Sequence, residues 1–190
     1  VDPNFILEKE EVPCLLRVCQ LVGGMPLGIE LAGAWIRLLT CQEIAAEIAA
    51  SLDFLTTALR DVPERHRSLR AAFEYSWKLL STAERETLSR LAVFHGGFDR
   101  QAASQVCNAA LLQLAALVDK SLLYHHPAGG RYHMHPAIAQ YAAEKLVEMS
   151  QQELVAQQHC DYYALFLSKR EAALHGAGQK QALEEIAAEI

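Results

Sequence analysis

The stretch that decides the fold is residues 122–136, Leu-Leu-Tyr-His-His-Pro-Ala-Gly-Gly-Arg-Tyr-His-Met-His-Pro. Two short runs rich in aromatic residues flank the turn-forming segment 127–130, and this pattern is typical of a β-hairpin. Pairing His126 with Arg131 across the loop fixes the register of the two strands. Because side chains alternate along a strand, this register divides the hairpin into two faces, with Leu123, His125, Tyr132 and Met134 on one and Tyr124 and His133 on the other.

A helix is predicted to follow the hairpin directly, over residues 136–148. Pro136 is favourable at the first helical position because its missing N–H is not needed there, and His135 precedes it as the N-cap. Apolar residues at helical spacing predict further helices before the hairpin, at 69–80, 83–94, 100–107 and 109–120. Helices followed by a β-hairpin predict a winged-helix domain, which we place at residues 63–149.

The rest of the chain is predicted to be helical on both sides of this domain. Residues 1–62 form a helical domain with helices at 8–22, 26–39, 41–51 and 53–60, and residues 150–190 form an α-hairpin with helices at 151–174 and 180–190. Capping boxes mark three helix starts, at Thr40 with Glu43, Ser81 with Glu84, and Ser150 with Glu153. The predicted fold class is therefore mainly α: a helical domain, a winged-helix domain with one β-hairpin, then an α-hairpin.

Composition limits the class of protein. The chain has 190 residues, 52% of them hydrophobic, and a formal net charge of -6. Charged and polar residues interrupt every apolar run before it reaches the roughly 18 to 20 residues of a membrane-spanning helix, so we expect no membrane partner. The five cysteines form no CxxC pair, which favours a reducing compartment and predicts a cytoplasmic location. The chain begins with Val1, and we interpret it as a segment of a longer protein.

Three stretches, in order, resemble a known family. They are Gly-Gly24-Met-Pro26-Leu-Gly-Ile-Glu-Leu-Ala; Arg-Ser68-Leu-Arg-Ala-Ala-Phe-Glu-Tyr-Ser-Trp77 with Phe94-His-Gly-Gly-Phe98; and Leu117-Val-Asp-Lys-Ser-Leu-Leu123 with Met134-His135-Pro136. Over about residues 8–148 the chain resembles the regulatory half of bacterial NB-ARC proteins, the STAND ATPases, and especially regulators of the LuxR and antibiotic-regulator type. The resemblance implies a lid-like helical domain and a winged helix, with an upstream P-loop nucleotide-binding domain and a downstream tetratricopeptide-like array as partners in the same chain.

The same resemblance implies site residues and a function. Gly24 and Pro26 match the GxP motif, whose proline packs near the adenine, and His135 matches the histidine of the MHD motif, which contacts the diphosphate of ADP. Pro136 stands where the family has Asp, so that carboxylate is missing. The implied cofactor is ADP or ATP with Mg in the intact parent, and none in this segment. The implied function is a nucleotide-dependent signal-transduction switch that couples the ADP or ATP state to domain rearrangement and transcriptional regulation.

Catalytic chemistry is not predicted for this segment. The sequence has no GxxxxGK[ST] loop, so the phosphate-binding Lys and the Mg-binding Ser/Thr are missing, and we expect no ATP hydrolysis and name no catalytic residue. The histidines near the hairpin suggest a metal, but His125 and His133 fall on opposite faces. Because zinc ligands must converge on one point, we expect no metal site.

Two other functions remain open. Residues 64–147 contain 10 Lys and Arg against 7 Asp and Glu, which mildly favours an anionic partner such as DNA. However, helix 109–120 offers Gln113 as its only mid-helix side chain able to contact a base, so DNA is an unlikely partner and we expect this helix to be buried. Arg65, Arg67 and Arg70 are a candidate basic contact or a solvated edge. The third function is a protein-interaction scaffold, in which an exposed aromatic face of the C-terminal helices recruits a helical partner or a second copy.

Overall fold

A computed structural model describes residues 11–57, 67–126, 129–176, 178–187 and 189, and it contains the predicted hairpin. β1 (Leu123–His126) pairs antiparallel with β2 (Arg131–Met134), and His126 lies opposite Arg131, which confirms the predicted register. Phe98 adds a bridge at the outer edge of β2, since its N–H donates to the carbonyl of Tyr132 at 2.9 Å and its carbonyl accepts from Tyr132 N–H at 2.8 Å. This arrangement is typical of the wing of a winged helix.

The remaining described elements are helical, which confirms the mainly α fold class. They are α1 (Val12–Leu21), α2 (Pro26–Gly33), α3 (Cys41–Ala50), α4 (Leu69–Lys78), α5 (Thr82–Leu91), α6 (Arg100–Cys107), α7 (Leu111–Asp119), α8 (Pro136–Glu148), α9 (Gln152–Ser168), α10 (Glu171–Leu174) and α11 (Gln179–Ala187), with short 3-10 helices at Ala34–Arg37 and Leu52–Phe54. The predicted starts at 26, 69, 100 and 136 agree with the structure. Parts of the predicted helices 8–22 and 53–60 lie outside the described residues.

The chain divides into two compact units, residues 1–79 with 135–137, and residues 80–134 with 138–190. In the first unit α1 packs on α3, and Trp35 stacks on Phe54 with their ring centroids 4.8 Å apart. This unit includes α4, which the sequence places in the winged-helix domain. The division into three domains at residues 62 and 149 stays a prediction, because two compact units do not test where functional domains begin and end.

In the second unit α5 packs on α6 and α7, α7 also packs on β1, and α6 packs on α9. The core is apolar and includes Leu91, Phe98, Leu114 and Leu117, which are all fully buried. Burial of such side chains stabilises the fold by about 1.5 to 3 kcal/mol each. At the start of α5 both hydrogen bonds of the predicted Ser81–Glu84 capping box are present.

Two sequence predictions about the C-terminal helices are wrong. The predicted capping box at Ser150 is absent: α9 begins at Gln152 after Gln151, and Ser150 has a φ of +56°. Ser150 instead ends α8, because its N–H donates to Val147 and that of Gln151 donates to Leu146, which is the Schellman arrangement. The predicted helix 151–174 is also interrupted after Ser168, and α10 resumes only at Glu171.

Helix α7 is only half-buried, which corrects the expectation that helix 109–120 is buried as packing. Leu114 and Leu117 are fully buried, whereas Leu112 is 84% exposed and Leu111 is 47% exposed. The helix is apolar almost all round, so its sequence alone did not show which face would be covered.

None of the described helices is, by itself, both long and apolar enough to cross a membrane. Only α6 and α7 taken together, with a bend of 111° between them, meet the length and composition of a span.

Candidate functional site

The turn between α1 and α2 is the first part of the candidate site. The N–H of Gly24 donates to Cys19 at 2.8 Å and the N–H of Gly23 donates to Gln20 at 3.0 Å, so α1 ends in a Schellman motif. Gly23 has a φ of +53° and Gly24 a φ of +71°, a backbone region in which glycine is unstrained. The N–H of Met25 donates to Val22, and α2 then begins at Pro26. Every N–H of this turn is therefore already used within the turn.

His135 is the second part of the site, at the start of α8. Its Nδ1 accepts a hydrogen bond from the N–H of Ala137 at 3.1 Å, which confirms its predicted role as the N-cap before Pro136. Because Nδ1 accepts, the proton of the neutral imidazole is assigned to Nε2. This capping bond is made without a carboxylate at position 136, and Pro136 itself has no N–H that needs a partner.

The structure brings these two parts together at Gly23. A Cβ built on Gly23 would lie 1.7 Å from Nε2 of His135 and 2.4 Å from its Cδ2 and Cε1. The ring therefore occupies the space that any other residue at position 23 would need. Gly24 is the glycine predicted for the site, but a Cβ on Gly24 would meet nothing within 4 Å, so Gly24 is not the residue in contact with the ring. The adjacent pair of glycines was visible in the sequence, but nothing there separated their roles.

Nε2 of His135 is buried and has no hydrogen-bond partner of acceptable geometry among the described residues. Burial lowers the pKa of His135 below its ordinary value, and the nearby backbone of Gly23 and Val22 only partly opposes this shift. The side chain is therefore a neutral imidazole whose one N–H lies near the backbone of Gly23 and Val22 but makes no hydrogen bond of good geometry. A buried donor without a partner costs about 1 to 3 kcal/mol, so this atom marks a functional candidate.

Pro26 and the basic cluster complete the set of predicted site residues. Pro26 is exposed, so its ring is free of protein packing on its outer side. Arg70 forms an ion pair with Asp53, and Arg67 is exposed, with its carbonyl accepting from the N–H of Thr57 at 2.8 Å. Arg65 lies outside the described residues. The structure thus joins the GxP turn to His135, while Arg70 has a partner of its own.

How well these residues fit an adenine nucleotide depends on which hydrogen-bond donors are unused. Nε2 of His135 is an unused donor suited to one phosphate oxygen, and the exposed ring of Pro26 is suited to packing against a base. The turn offers no further donors, because the N–H groups of Gly23, Gly24 and Met25 are bonded internally. The residues therefore fit a supporting contact to a nucleotide, and His135 would have to shift from Gly23 before an oxygen could reach Nε2.

Among the residues that the structure describes, no three His, Cys, Asp or Glu side chains are grouped as metal ligands. His125 lies beside Tyr132 and His133 stacks on Tyr124, which confirms that these two histidines occupy opposite faces of the hairpin.

Comparison with known proteins identifies relatives in mycobacteria. The Mycobacterium tuberculosis protein named "Putative HTH-type transcriptional regulator Rv0890c" is 33% identical over 172 residues, which is 86% of this chain and 19% of the relative. The Mycobacterium bovis protein named "Putative HTH-type transcriptional regulator Mb0914c" has the same identity over the same shares of the two chains. The M. tuberculosis protein named "Uncharacterized protein Rv0894" is 33% identical over 165 residues, 82% of this chain and 42% of the relative.

The extent of these matches limits what they establish. No family model matches the chain. The chain spans about a fifth of the length of the two named regulators and about two fifths of the third relative. The matches show that this chain is similar to a segment of proteins named as putative HTH-type transcriptional regulators.

Proposed function

We propose that this chain is the regulatory segment of a nucleotide-dependent transcriptional regulator of the STAND type. The observation that supports this most directly is the contact between Gly23 and His135, because it places the residue that directly precedes the GxP motif against the histidine of the MHD-like motif. The names of the mycobacterial relatives support the transcriptional part of the proposal. In this proposal a P-loop domain and further helical repeats belong to the same polypeptide.

His135 is the residue that would sense the nucleotide. Seated on Gly23, its Nε2 is buried without an acceptor, so this position is disfavoured by the unmade hydrogen bond. ADP, when bound, would supply an anionic acceptor beside the imidazole. A hydrogen bond from Nε2 to a charged oxygen is worth about 1.5 to 3 kcal/mol, enough to bias a two-state equilibrium by roughly 10- to 150-fold.

The two positions of His135 have different consequences for the backbone. Nδ1 of the same ring caps α8, so a shift of the ring moves the group that holds the first turn of that helix. Pro26 would contact the base at the start of α2. A ligand shifts an equilibrium only when it binds the two states with different affinity, and the single Nε2 bond provides this difference.

The experiment that tests the proposal measures ADP release from the full-length protein that contains this chain. We expect His135→Leu to release a fluorescent ADP analogue roughly 10- to 150-fold faster in stopped flow, because the bond to the diphosphate is lost. His125→Leu is the matched control, since His125 is an exposed histidine of the hairpin that precedes His135, and its release rate should equal that of the wild type. Equal rates for His135→Leu and wild type would remove His135 from the mechanism.

DNA binding is the alternative that the winged helix suggests. The exposed face of α7 presents Leu111 and Leu112, and Lys120 at its end forms an ion pair with Glu84 at 2.6 Å. Such a face offers few donors to base edges and little charge to phosphates. We expect the 190-residue chain to bind duplex DNA weakly at low salt, and a tight affinity that falls steeply with added salt would favour the DNA function instead.

A further inference from the structure

A cavity in the second compact unit has no role in the proposed nucleotide contact. It has a volume of about 470 Å³ and lies between the turn Gly96–Gly97, strand β2 and helices α9 and α11. Cavities of roughly 300 to 1,000 Å³ are the usual size of sites for small organic molecules.

One wall of the cavity is aromatic. The ring of His159 meets Phe94 edge-on, with centroids 5.3 Å apart, and lies 4.7 Å from the ring of Tyr163. Phe166 continues this wall at 6.1 Å from Tyr163, in an edge-to-face arrangement. A planar molecule entering the cavity would therefore find ring faces and edges in the geometries that aromatic pairs prefer.

Of the three histidines that line the cavity, His133 and His159 have unused hydrogen-bonding groups at both ring nitrogens, whereas Nδ1 of His95 lies 3.2 Å from the carbonyl of Val93. Among the described residues no hydrogen bond reaches the ring nitrogens of His133 or His159, and the backbone of Gly97 and the ring of Tyr124 hold His133 in place. The pKa of both imidazoles is lowered, chiefly by burial, with Arg131 and His126 adding to the effect at His133 and His95 at His159. Each ring is therefore neutral near pH 7 and offers one donor and one acceptor.

The charged groups of the cavity neutralise each other. Arg131 forms an ion pair with Glu189 at 2.5 Å and also donates to the carbonyl of Gly97. Tyr163 donates its hydroxyl to the same carboxylate at 2.8 Å. Among the described residues that line the cavity, Arg131 and Glu189 are paired with each other and no further Lys, Arg, Asp or Glu is present, so a buried ionic ligand would be left uncompensated at a cost.

We propose that this cavity binds an uncharged, planar aromatic molecule with a hydroxyl or ring N–H group, stacked on the aromatic wall and hydrogen-bonded to His133 and His159. The cavity lies beside the wing and the first helices after the winged helix, so it is a site for a small-molecule effector. This inference is independent of the nucleotide contact at His135, because the two sites share no residue.

The test compares 2-naphthol with two probes of similar size, one of which is charged and the other not aromatic. We expect 2-naphthol to bind the 190-residue chain near neutral pH, with at least tenfold higher affinity by calorimetry than 2-naphthoate, which is charged, or decahydro-2-naphthol, which is not aromatic. Binding should shift the histidine ring signals of His133 and His159 in NMR spectra. An affinity for either of the other two probes equal to that for 2-naphthol, or no saturable binding of 2-naphthol, would overturn the proposal.

Two variants locate the binding in the cavity. Gly96→Leu should abolish 2-naphthol binding, because Gly96 lines the cavity and a Cβ there meets nothing within 4 Å that would disturb the fold. Gly33→Leu is the matched control, since its Cβ also meets open space but it does not line the cavity. His159→Phe keeps a ring in the wall and should weaken binding about tenfold through the lost hydrogen bond. Unchanged affinity in both Gly96→Leu and His159→Phe would place the probe elsewhere and contradict the assignment.

Discussion

His135 Nε2 occupies the position that a side chain on Gly23 would take, 1.7 Å from an ideal Cβ. Glycine at this position is therefore required twice, once by its φ of +53° and once by the ring. Gly24, next in the chain, meets only the first requirement, with a φ of +71° and open space around its Cβ. This difference between neighbouring glycines makes the contact measurable.

We expect Gly23→Ala to destabilise the protein more than Gly24→Ala. Each substitution places a Cβ in the left-handed region at a cost of roughly 1 to 2 kcal/mol, and Gly23→Ala adds an overpacking cost of about 1 to 3 kcal/mol. Urea denaturation followed by circular dichroism measures both. In a double-mutant cycle, His135→Ala should remove the extra cost of Gly23→Ala and leave that of Gly24→Ala unchanged. Additive costs for Gly23→Ala and His135→Ala would show that the two residues are not in contact.

Stability should fall as the solution is acidified below about pH 6.5. The pKa values of His133, His135 and His159 are lowered in the folded state, chiefly by burial, so the unfolded chain binds protons first. Their stabilising effect is complete above the ordinary histidine pKa and is lost as the pH falls through the lowered folded values. The urea midpoint, measured between about pH 7.5 and about pH 5, should decrease accordingly.

The variant His135→Asn separates the contribution of His135 to this pH dependence from the contributions of His133 and His159. Asparagine is a favourable N-cap residue, so it keeps an acceptor for the N–H of Ala137 while removing the titrating group. We expect a shallower pH dependence than in the wild type, with the remaining slope due to His133 and His159. The same slope in both proteins would mean that His135 is equally protonated in the folded and unfolded states.

Local patterns predicted much of the fold. The hairpin register and the start of α8 agree with the structure to the residue, because both depend on neighbours in sequence: the strand alternation, the turn at 127–130 and the His135–Pro136 junction. The contact with His135 was not predicted correctly, because the site was assigned to Gly24 and the ring lies against Gly23. That contact depends on how distant segments pack, which a pattern along the chain does not specify.

The same limit explains two other differences. The Ser150–Glu153 pair matches the capping-box pattern, but Ser150 has a left-handed φ and lies at the Schellman end of α8, a role that the capping-box pattern does not distinguish. The cavity beside Phe94 was missed because its lining comes from segments far apart in sequence. In the sequence these residues belong to separate features, the hairpin and the aromatic face of the C-terminal helices.

Serine substitutions should distinguish Ser81, whose side chain caps a helix, from Ser150, which only matches the capping-box pattern in sequence. Ser81 accepts from the N–H of Glu84, so Ser81→Ala should lower the free energy of unfolding by about 1 kcal/mol. The Ser150 side chain makes no cap to α9, so Ser150→Ala should have a smaller effect, and Ser150→Gly should be stabilising by up to about 1 kcal/mol because glycine is unstrained at a φ of +56°. Equal losses for Ser81→Ala and Ser150→Ala would restore the capping box at Ser150.

Thiol reactivity should follow burial and not position in the sequence. All five cysteines are free; Cys19 and Cys160 are exposed, whereas Cys107 is buried and burial raises its pKa to about 12. At about pH 8 only about one in 10⁴ Cys107 side chains is a thiolate, and the thiolate is the reactive form. Iodoacetamide should therefore alkylate Cys19 and Cys160 first in the native protein, as measured by mass spectrometry of peptides, and all five in urea. Native labelling of Cys107 as fast as that of Cys160 would show that the α6 segment opens rapidly, because an alkylating reagent can reach this side chain only when the surrounding core separates.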